Sequence, residues 1–309
     1  MSATREFGRI AVLYGGHSGE RDVSLTSGRA VASALQSVGV DAVLFDPAAM
    51  PLEDLKAQGF AACWNALHGG AGEDGTVQGA LETLGIPYTG SGVLGSALAM
   101  DKQRAKAVLA AAGIPVPAGI VLVAGDDLPP LPSLPVFVKP VASGSSLGNT
   151  PVHTQAALPA AVAAALTHDS RALIEPLLSG PEMTVGVVGD LALPAIRIEA
   201  GNAFYDYDAK YTSSDTRFQC PGTDDAALAK QLETLALRSF RALDCRGWGR
   251  VDFMLDESGE PFVLEVNTVP GMTSHSLVPH AAGVAGWTFA DLCVRILELG
   301  VHAAKKEAA

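Results

Sequence analysis

The stretch GWGRVDFMLDESGEPFVLEVN, residues 247–267, reads as two strands folded back on each other. Apolar residues alternate on both sides of Ser258-Gly259, a dipeptide suited to a two-residue hairpin loop. Such a loop pairs Glu257 with Glu260 and, counting back, sets Asp252 opposite Glu265. Side chains alternate faces along a strand, so Asn267 shares the face of Glu265, and Arg250 that of Asp252. Two carboxylates directly opposite each other destabilise a hairpin unless something neutralises them. A hard divalent cation would do so, and an all-oxygen donor set favours magnesium over zinc. A solvated face with incidental acids is the plain alternative. Val251, Phe253, Val263 and Val266 argue against it, because they surround the acids with core-type residues. Asp252, Glu265 and Asn267 are therefore the candidate metal ligands.

Upstream, PVFVKPVASGSSLGN (135–149) runs a strand through Lys139 into a loop of glycines and serines. Small residues there let backbone N–H groups approach phosphate oxygens, and Ser145 and Ser146 add hydroxyls. The pattern is not the P-loop GxxxxGK[ST], and by itself it reads more readily as a flexible surface loop; the strand-end Lys139 and the separate carboxylate cluster are what favour phosphate. In ALIEPLLSGPEMTV (172–185), a strand ending at Glu175-Pro176-Leu177-Leu178 offers backbone donors and acceptors at an apolar edge. Such an edge suits adenine, with Glu182 placed for ribose hydroxyls. On that segment alone a strand followed by an ordinary turn at Gly180-Pro181 is the better reading.

Two N-terminal loops also carry polar groups: GGHSGERD (15–22) with Glu20, and ALHGGAGEDG (66–75) with His68. A carboxylate between a strand end and a helix start suits a ligand ammonium. On chemistry alone, a buried histidine satisfied by backbone is a better reading of His68 than a catalytic one. VPGMTSHSLVP (269–279) places Ser276 before a short helix, either as a plain cap or as part of a carboxylate site.

The surrounding pattern predicts an α+β chain. In the first hundred residues, strands at Ile10–Tyr14, Ala42–Phe45 and Phe60–Leu67 alternate with helical segments, which implies a parallel α/β sheet. Strands at 136–139, 172–175, 183–188 and 192–199 and the hairpin 249–267 follow, with helices at 103–112, 155–166 and 226–243. These read as two further subdomains built on antiparallel sheet. The boundaries fall at 1–101, 102–182 and 183–309.

The 309 residues are 48% hydrophobic and 17% charged, with a net charge of −12. That acidity makes nucleic acid and anionic membrane poor partners. The four cysteines are scattered without a CxxC pair, as expected of reduced thiols in a cytoplasmic protein. No run approaches the ~18 apolar residues that a spanning helix requires.

These segments, with PYTGSGVLGSALAMDK (87–102) and FYDYDAKY (204–211), closely resemble the D-alanine–D-alanine ligases of the ATP-grasp superfamily, in the family order over residues 10–299. The resemblance implies three subdomains with ATP clamped between two antiparallel sheets. It implies phosphorylation of one D-alanine carboxylate, then attack by the amine of a second, for peptidoglycan precursor synthesis. By motif, Lys102, Lys139 and Lys210 with Ser145 and Ser146 hold phosphates, and Glu175, Pro176, Leu178 and Glu182 hold adenosine. Asp252, Glu265 and Asn267 hold two magnesium ions, which manganese can replace. Glu20 and His68 meet the first substrate, Arg250 and the Gly271 N–H stabilise oxyanions, and Ser276 with Leu277 binds the second carboxylate. Tyr211, Ser145 and Glu20 form the set that closes the site. A neutral tyrosine there implies dipeptide rather than D-alanyl-D-lactate as product. The resemblance also implies a homodimer. The chain departs from the usual pattern at Ser143, at Pro176-Leu177 and at Val269. A non-catalytic binding protein on this fold would be expected to lose such ligands, and a nicotinamide enzyme would carry GxGxxG after its first strand; neither holds.

Overall fold

The computed structural model describes residues 7–128, 130, 133–144, 147–199, 216–273 and 275–307, without the side chains of 302–307. Three sheets organise it. The first is parallel, in the order β2-β1-β3, from β1 (Arg9–Leu13), β2 (Ala42–Phe45) and β3 (Phe60–Asn65). Helix α1 (Arg21–Ser37) packs on one face of it, and α2 (Asp54–Ala57) and α3 (Thr76–Leu84) on the other. Its strands are buried on both faces, as in parallel sheets generally.

Helices α4 (Val93–Met100) and α5 (Lys102–Ala111) lead into an antiparallel sheet, β4-β7-β5-β6. Its strands are β4 (Ile120–Val123), β5 (Val136–Pro140), β6 (Thr150–Val152) and β7 (Arg171–Pro176). Helix α6 (Leu158–Leu166) covers it, burying Leu158 and Val162 against Val136, Val138 and Ile174.

The third sheet runs β11-β10-β8-β12-β13, with β9 beside β8, and is antiparallel throughout. It is built from β8 (Glu182–Val188), β9 (Leu191–Ala192), β10 (Ile196–Glu199), β11 (Arg217–Gln219), β12 (Trp248–Leu255) and β13 (Pro261–Asn267). The sequence pattern predicts one strand over 192–199. The structure splits it at 193–195, where Pro194 has no N–H to give a ladder. Helix α7 (Ala226–Ala242) packs with α4 and α5 on this sheet, burying Leu232, Leu235 and Phe240. Helices α8 (Leu277–Val284) and α9 (Phe289–Glu307) join the first and third sheets in one core, where Trp64 and Trp248 meet with ring centroids 5.5 Å apart. One parallel and two antiparallel sheets are the architecture expected from the sequence. Among the described residues no helix is long and apolar enough to cross a membrane.

The hairpin loop differs from expectation. Asp256 pairs with Glu260 through Asp256 N–H to Glu260 O at 3.0 Å, so the loop has three residues, closed by Gly259 at φ +87°. Phe253 then faces Val263, yet Asp252 faces Glu265 as expected. A bulge at Leu264 absorbs the extra residue. It lets Val263 and Val266, three apart, both enter the core with Val251 and Phe253, and turns Glu265 to the opposite face.

At the first strand end, Asp46 holds the glycine turn. Its carboxylate accepts from Arg21 Nη2 at 2.6 Å, Gly16 N–H at 3.0 Å and Ala48 N–H at 2.9 Å. Gly15 sits at φ +74°, where a Cβ would lie 2.8 Å from Asp46 Oδ2, so glycine is required there. The Arg21 hydrogen bond, helped by the backbone donors and opposed by burial, lowers the Asp46 carboxyl to about 2. A depressed folded-state value means stability that is present above the ordinary carboxylate range and lost as pH falls toward 2. Asp46→Asn is expected to cost about 1–2 kcal/mol at pH 7, screening by solvent at the half-exposed Arg21 included. Denaturant melts should show the difference from wild type shrinking between about pH 4 and 2; an undiminished gap at pH 2 would refute the assignment.

Candidate active site

The face of β12 and β13 away from the core collects the expected polar set. Asp252 is 6% exposed and has four donors aimed at it. Arg250 grips it in bidentate fashion, Nε to Oδ1 and Nη2 to Oδ2, both at 2.8 Å. Thr184 Oγ1, from the neighbouring β8, donates to Oδ1 at 2.6 Å, and Asn267 Nδ2 donates to Oδ2 at 2.9 Å. Across the pair, Glu265 Oε2 lies 3.2 Å from Lys102 Nζ. The like-charged pair is thus neutralised here by the protein's own Arg250 and Lys102, a solution the sequence argument did not consider. The donor set still fits a hard cation: two carboxylates face each other, and Asn267, giving its N–H to Asp252, keeps an amide oxygen to offer.

Lys102 connects this patch to the glycine/serine loop, since its Nζ also donates to Ser143 O at 2.8 Å. Helix α5 buries Lys102, Ala105, Lys106 and Leu109, one stripe at helical spacing, which turns both lysines inward. Lys106 pairs with one oxygen of Glu175, and Lys139 Nζ lies 2.7 Å from the other. The β7 edge beyond Glu175 is narrower than expected, because the Leu177 N–H is taken by Pro135 O at 3.1 Å. Pro176 and Leu178 remain on that edge, and Glu182 opens β8 opposite Met254.

The N-terminal loops come to the same place. Glu20 lies between the His68 loop and the glycine loop: a Cβ on Gly69 would sit 3.3 Å from Glu20 Cδ, and one on Gly144 2.9 Å from Glu20 Oε1. His68 is buried, with Nε2 2.9 Å from Ser27 Oγ and Nδ1 3.5 Å from Glu73 Oε1. Ser27 Oγ also accepts from the Met272 N–H at 3.2 Å, tying His68 to the loop that carries Gly271. Ser276 precedes α8 but does not cap it. Its hydroxyl turns back to accept from the Thr273 N–H at 2.9 Å, so the amides from Leu277 onward carry no side-chain cap. A Cβ on Gly271 would strike Ser276 Oγ at 2.8 Å, which explains the glycine.

Ser145, Ser146, Lys210 and Tyr211 lie outside the described residues. Sequence reasoning missed Thr184, Ser27 and Lys106. The first two are visible only once strand order and loop docking are known. Lys106 stands four residues after Lys102 on a helix, and that spacing was there to be read.

Known proteins resemble this chain in sequence and in fold. Residues 46–91 match the family model described as D-ala D-ala ligase N-terminus, and residues 128–298 that described as D-ala D-ala ligase C-terminus. A D-alanine–D-alanine ligase of Azoarcus is 52% identical over 296 residues, 95% of this chain and 97% of the relative. One from Dechloromonas aromatica is 51% identical over 299 residues, 96% of this chain and 99% of the relative. The crystal structure of the Bacillus anthracis D-alanine–D-alanine ligase complexed with ATP superposes with a TM-score of 0.84 at 34% identity, covering 97% of this chain and 99% of that one. Likeness of that extent, in sequence as in fold, places the chain in the D-alanine–D-alanine ligase family, on the ATP-grasp architecture.

Proposed function

We propose that this chain is an ATP-dependent ligase that joins two D-alanine molecules into D-alanyl-D-alanine, for peptidoglycan precursors. The observation that supports it most is Lys102, whose ammonium touches both Glu265 of the carboxylate patch and Ser143 of the glycine/serine loop. One lysine thereby puts the candidate metal ligands and the candidate phosphate loop in a single site. The subdomains are read as 1–101, 102–182 and 183–309, the protein as a cytoplasmic homodimer.

In this reading Glu175, Pro176, Leu178 and Glu182 hold adenosine, and Lys102, Lys139 and Lys210 hold the phosphates with Ser145 and Ser146. Asp252, Glu265 and Asn267 would hold magnesium, which supplies charge neutralisation for the transferring phosphoryl group. Glu20 takes the ammonium of the first D-alanine beside His68, leaving its carboxylate to attack the γ-phosphorus of ATP, with ADP departing. The amine of the second D-alanine then attacks the acyl carbon of D-alanyl phosphate, forming the C–N bond. Its carboxylate rests on Ser276 and the Leu277 amide, at the positive end of α8. Arg250 and the Gly271 N–H stabilise the oxyanion, and inorganic phosphate leaves as the amine proton is lost. Tyr211 and Ser145 close over Glu20 and keep water from the acyl phosphate.

Release of phosphate from ATP and magnesium is expected to depend on D-alanine, with D-alanyl-D-alanine as the organic product. With equal D-alanine and D-lactate at pH 7, dipeptide should dominate. Phosphate release indifferent to D-alanine, or mainly depsipeptide, would overturn the reading.

A further inference from the structure

We propose that Lys106 is a positioning residue of the nucleotide site, holding Glu175 ionised and in place while Lys139 is drawn off to the ATP phosphates. The proposal rests on the reading above that Glu175 and Lys139 serve the nucleotide.

The geometry behind it is a helix used as a ruler. Lys102 and Lys106 are four residues apart on α5, about 6 Å along its axis. The first lysine reaches the metal and phosphate end, at Glu265 and Ser143 O; the second reaches the base end, at Glu175. Lys106, Lys139 and Glu175 are 7%, 6% and 3% exposed, so none of them is solvated enough to stand alone. Among the described residues, Glu175 is the carboxylate paired with both lysines. With both lysines protonated and no nucleotide bound, the cluster would carry two cations on one anion.

That excess has an energetic signature. Burial, and then repulsion from Lys139, brings Lys106 down to about 7, with Glu175 raising it and Lys102 lowering it further. Burial opposes the Glu175 charge, yet Lys139 and then Lys106 hold that carboxyl below its ordinary range. An ATP polyphosphate would supply the missing negative charge. Lys139 stands at the end of β5, beside the loop that is to cradle phosphate, and can turn to it. If it left Glu175 with no other cation, a carboxylate would be stranded in the interior, which is strongly unfavourable. Lys106 prevents this, because its own reach from α5 ends at Glu175. Once Lys139 is engaged elsewhere, the repulsion that lowered Lys106 is relieved, and the Lys106–Glu175 pair is balanced. A fixed, ionised Glu175 is also the acceptor that an adenine amino group needs and a guanine oxygen would be repelled by.

A double-mutant cycle between Lys106→Met and Glu175→Gln tests this, read as separate KM and kcat values. Lys106→Met is expected to raise the KM for ATP about tenfold while leaving kcat and the KM for D-alanine within about twofold. In the Glu175→Gln background, adding Lys106→Met should move the ATP KM by less than about twofold, since no charge remains to be held. Fully additive effects, an unchanged ATP KM, or equal damage to kcat and both KM values would overturn the proposal. Lys139→Met separates it from the reading beneath it. If that variant binds ATP like wild type, the nucleotide site itself is misplaced and the proposal falls with it. If Lys139→Met loses ATP but Lys106→Met does not, Lys106 alone is misassigned. The wild type gives a test that needs no variant. The ATP KM should rise as pH increases above about 7, because binding must then protonate Lys106. A flat ATP KM between about pH 6.5 and 8.5 would refute the role.

Discussion

Replacing Glu265 by alanine is expected to abolish turnover and leave the fold standing. Its side chain is 26% exposed, and its Oε2 lies 3.2 Å from Lys102 Nζ. Lys102 keeps a second acceptor in Ser143 O after the substitution, so its ammonium still has a hydrogen-bond partner. Opposite lies Asp252, whose own charge is already met by Arg250. The lost carboxylate relieves a like-charge pairing, and the melting temperature should stay within a few degrees of wild type. Activity is another matter. Metal-assisted charge stabilisation in phosphoryl transfer contributes several kcal/mol, so loss of a ligand should lower kcat by about 10³-fold or more. Substantial magnesium-dependent turnover by a folded Glu265→Ala variant would show that Glu265 is no ligand.

Asp252→Ala should be damaging in both respects. Asp252 is almost fully buried, and four donors from Arg250, Thr184 and Asn267 converge on it. Removing it leaves the Arg250 guanidinium, itself largely buried, without its bidentate partner. Breaking a buried pair in this way costs about 3–5 kcal/mol, in contrast to the small effect expected at Glu265. Denaturant melts of the two variants side by side test this contrast. Equal stabilities would mean that Arg250 finds another anion, and that Asp252 is not the anchor of the site. Asp252→Asn should fall between, since it keeps the shape but sets its NH2 group against the two donors that one carboxylate oxygen had accepted from.

Much of this was legible from residues 247–267 alone. The Asp252–Glu265 pairing is correct, yet it was reached through a two-residue loop that does not form. The loop shift and the bulge at Leu264 cancel, so the register error at the tip never reached the site. The alternation Val263, Glu265 against Val266 is out of step by one, and that mismatch was the readable trace of the bulge. Strand boundaries held within one residue for β5 and β7, where Val136, Val138 and Ile174 are strongly β-forming, whereas the short partners β4 and β6 of the same sheet were not expected. What a single chain could not reveal was sharing between distant segments. Thr184 meets Asp252 because β8 lies beside β12, and Ser27 meets His68 because α1 crosses the end of β3. Neither neighbourhood leaves a local pattern. The counter-ions were hidden for another reason: a carboxylate pair in a hairpin says that a cation is required, but not whether a metal or a lysine from another helix supplies it.

The bulge gives the hairpin a tolerance that a regular ladder lacks. The structure shows its tip bulged, and an unbulged alignment of the same residues would also keep Asp252 against Glu265. In the bulged one Val263 faces Phe253 and enters the core. In the other Leu264 would take that place and Val263 would turn outward. A polar substitution at Val263 is therefore expected to have an escape: the tip would slip by one, Leu264 would fill the vacancy, and the carboxylates would stay where they are. Errors at the solvent end of this arm stop at residue 264, short of the chemistry.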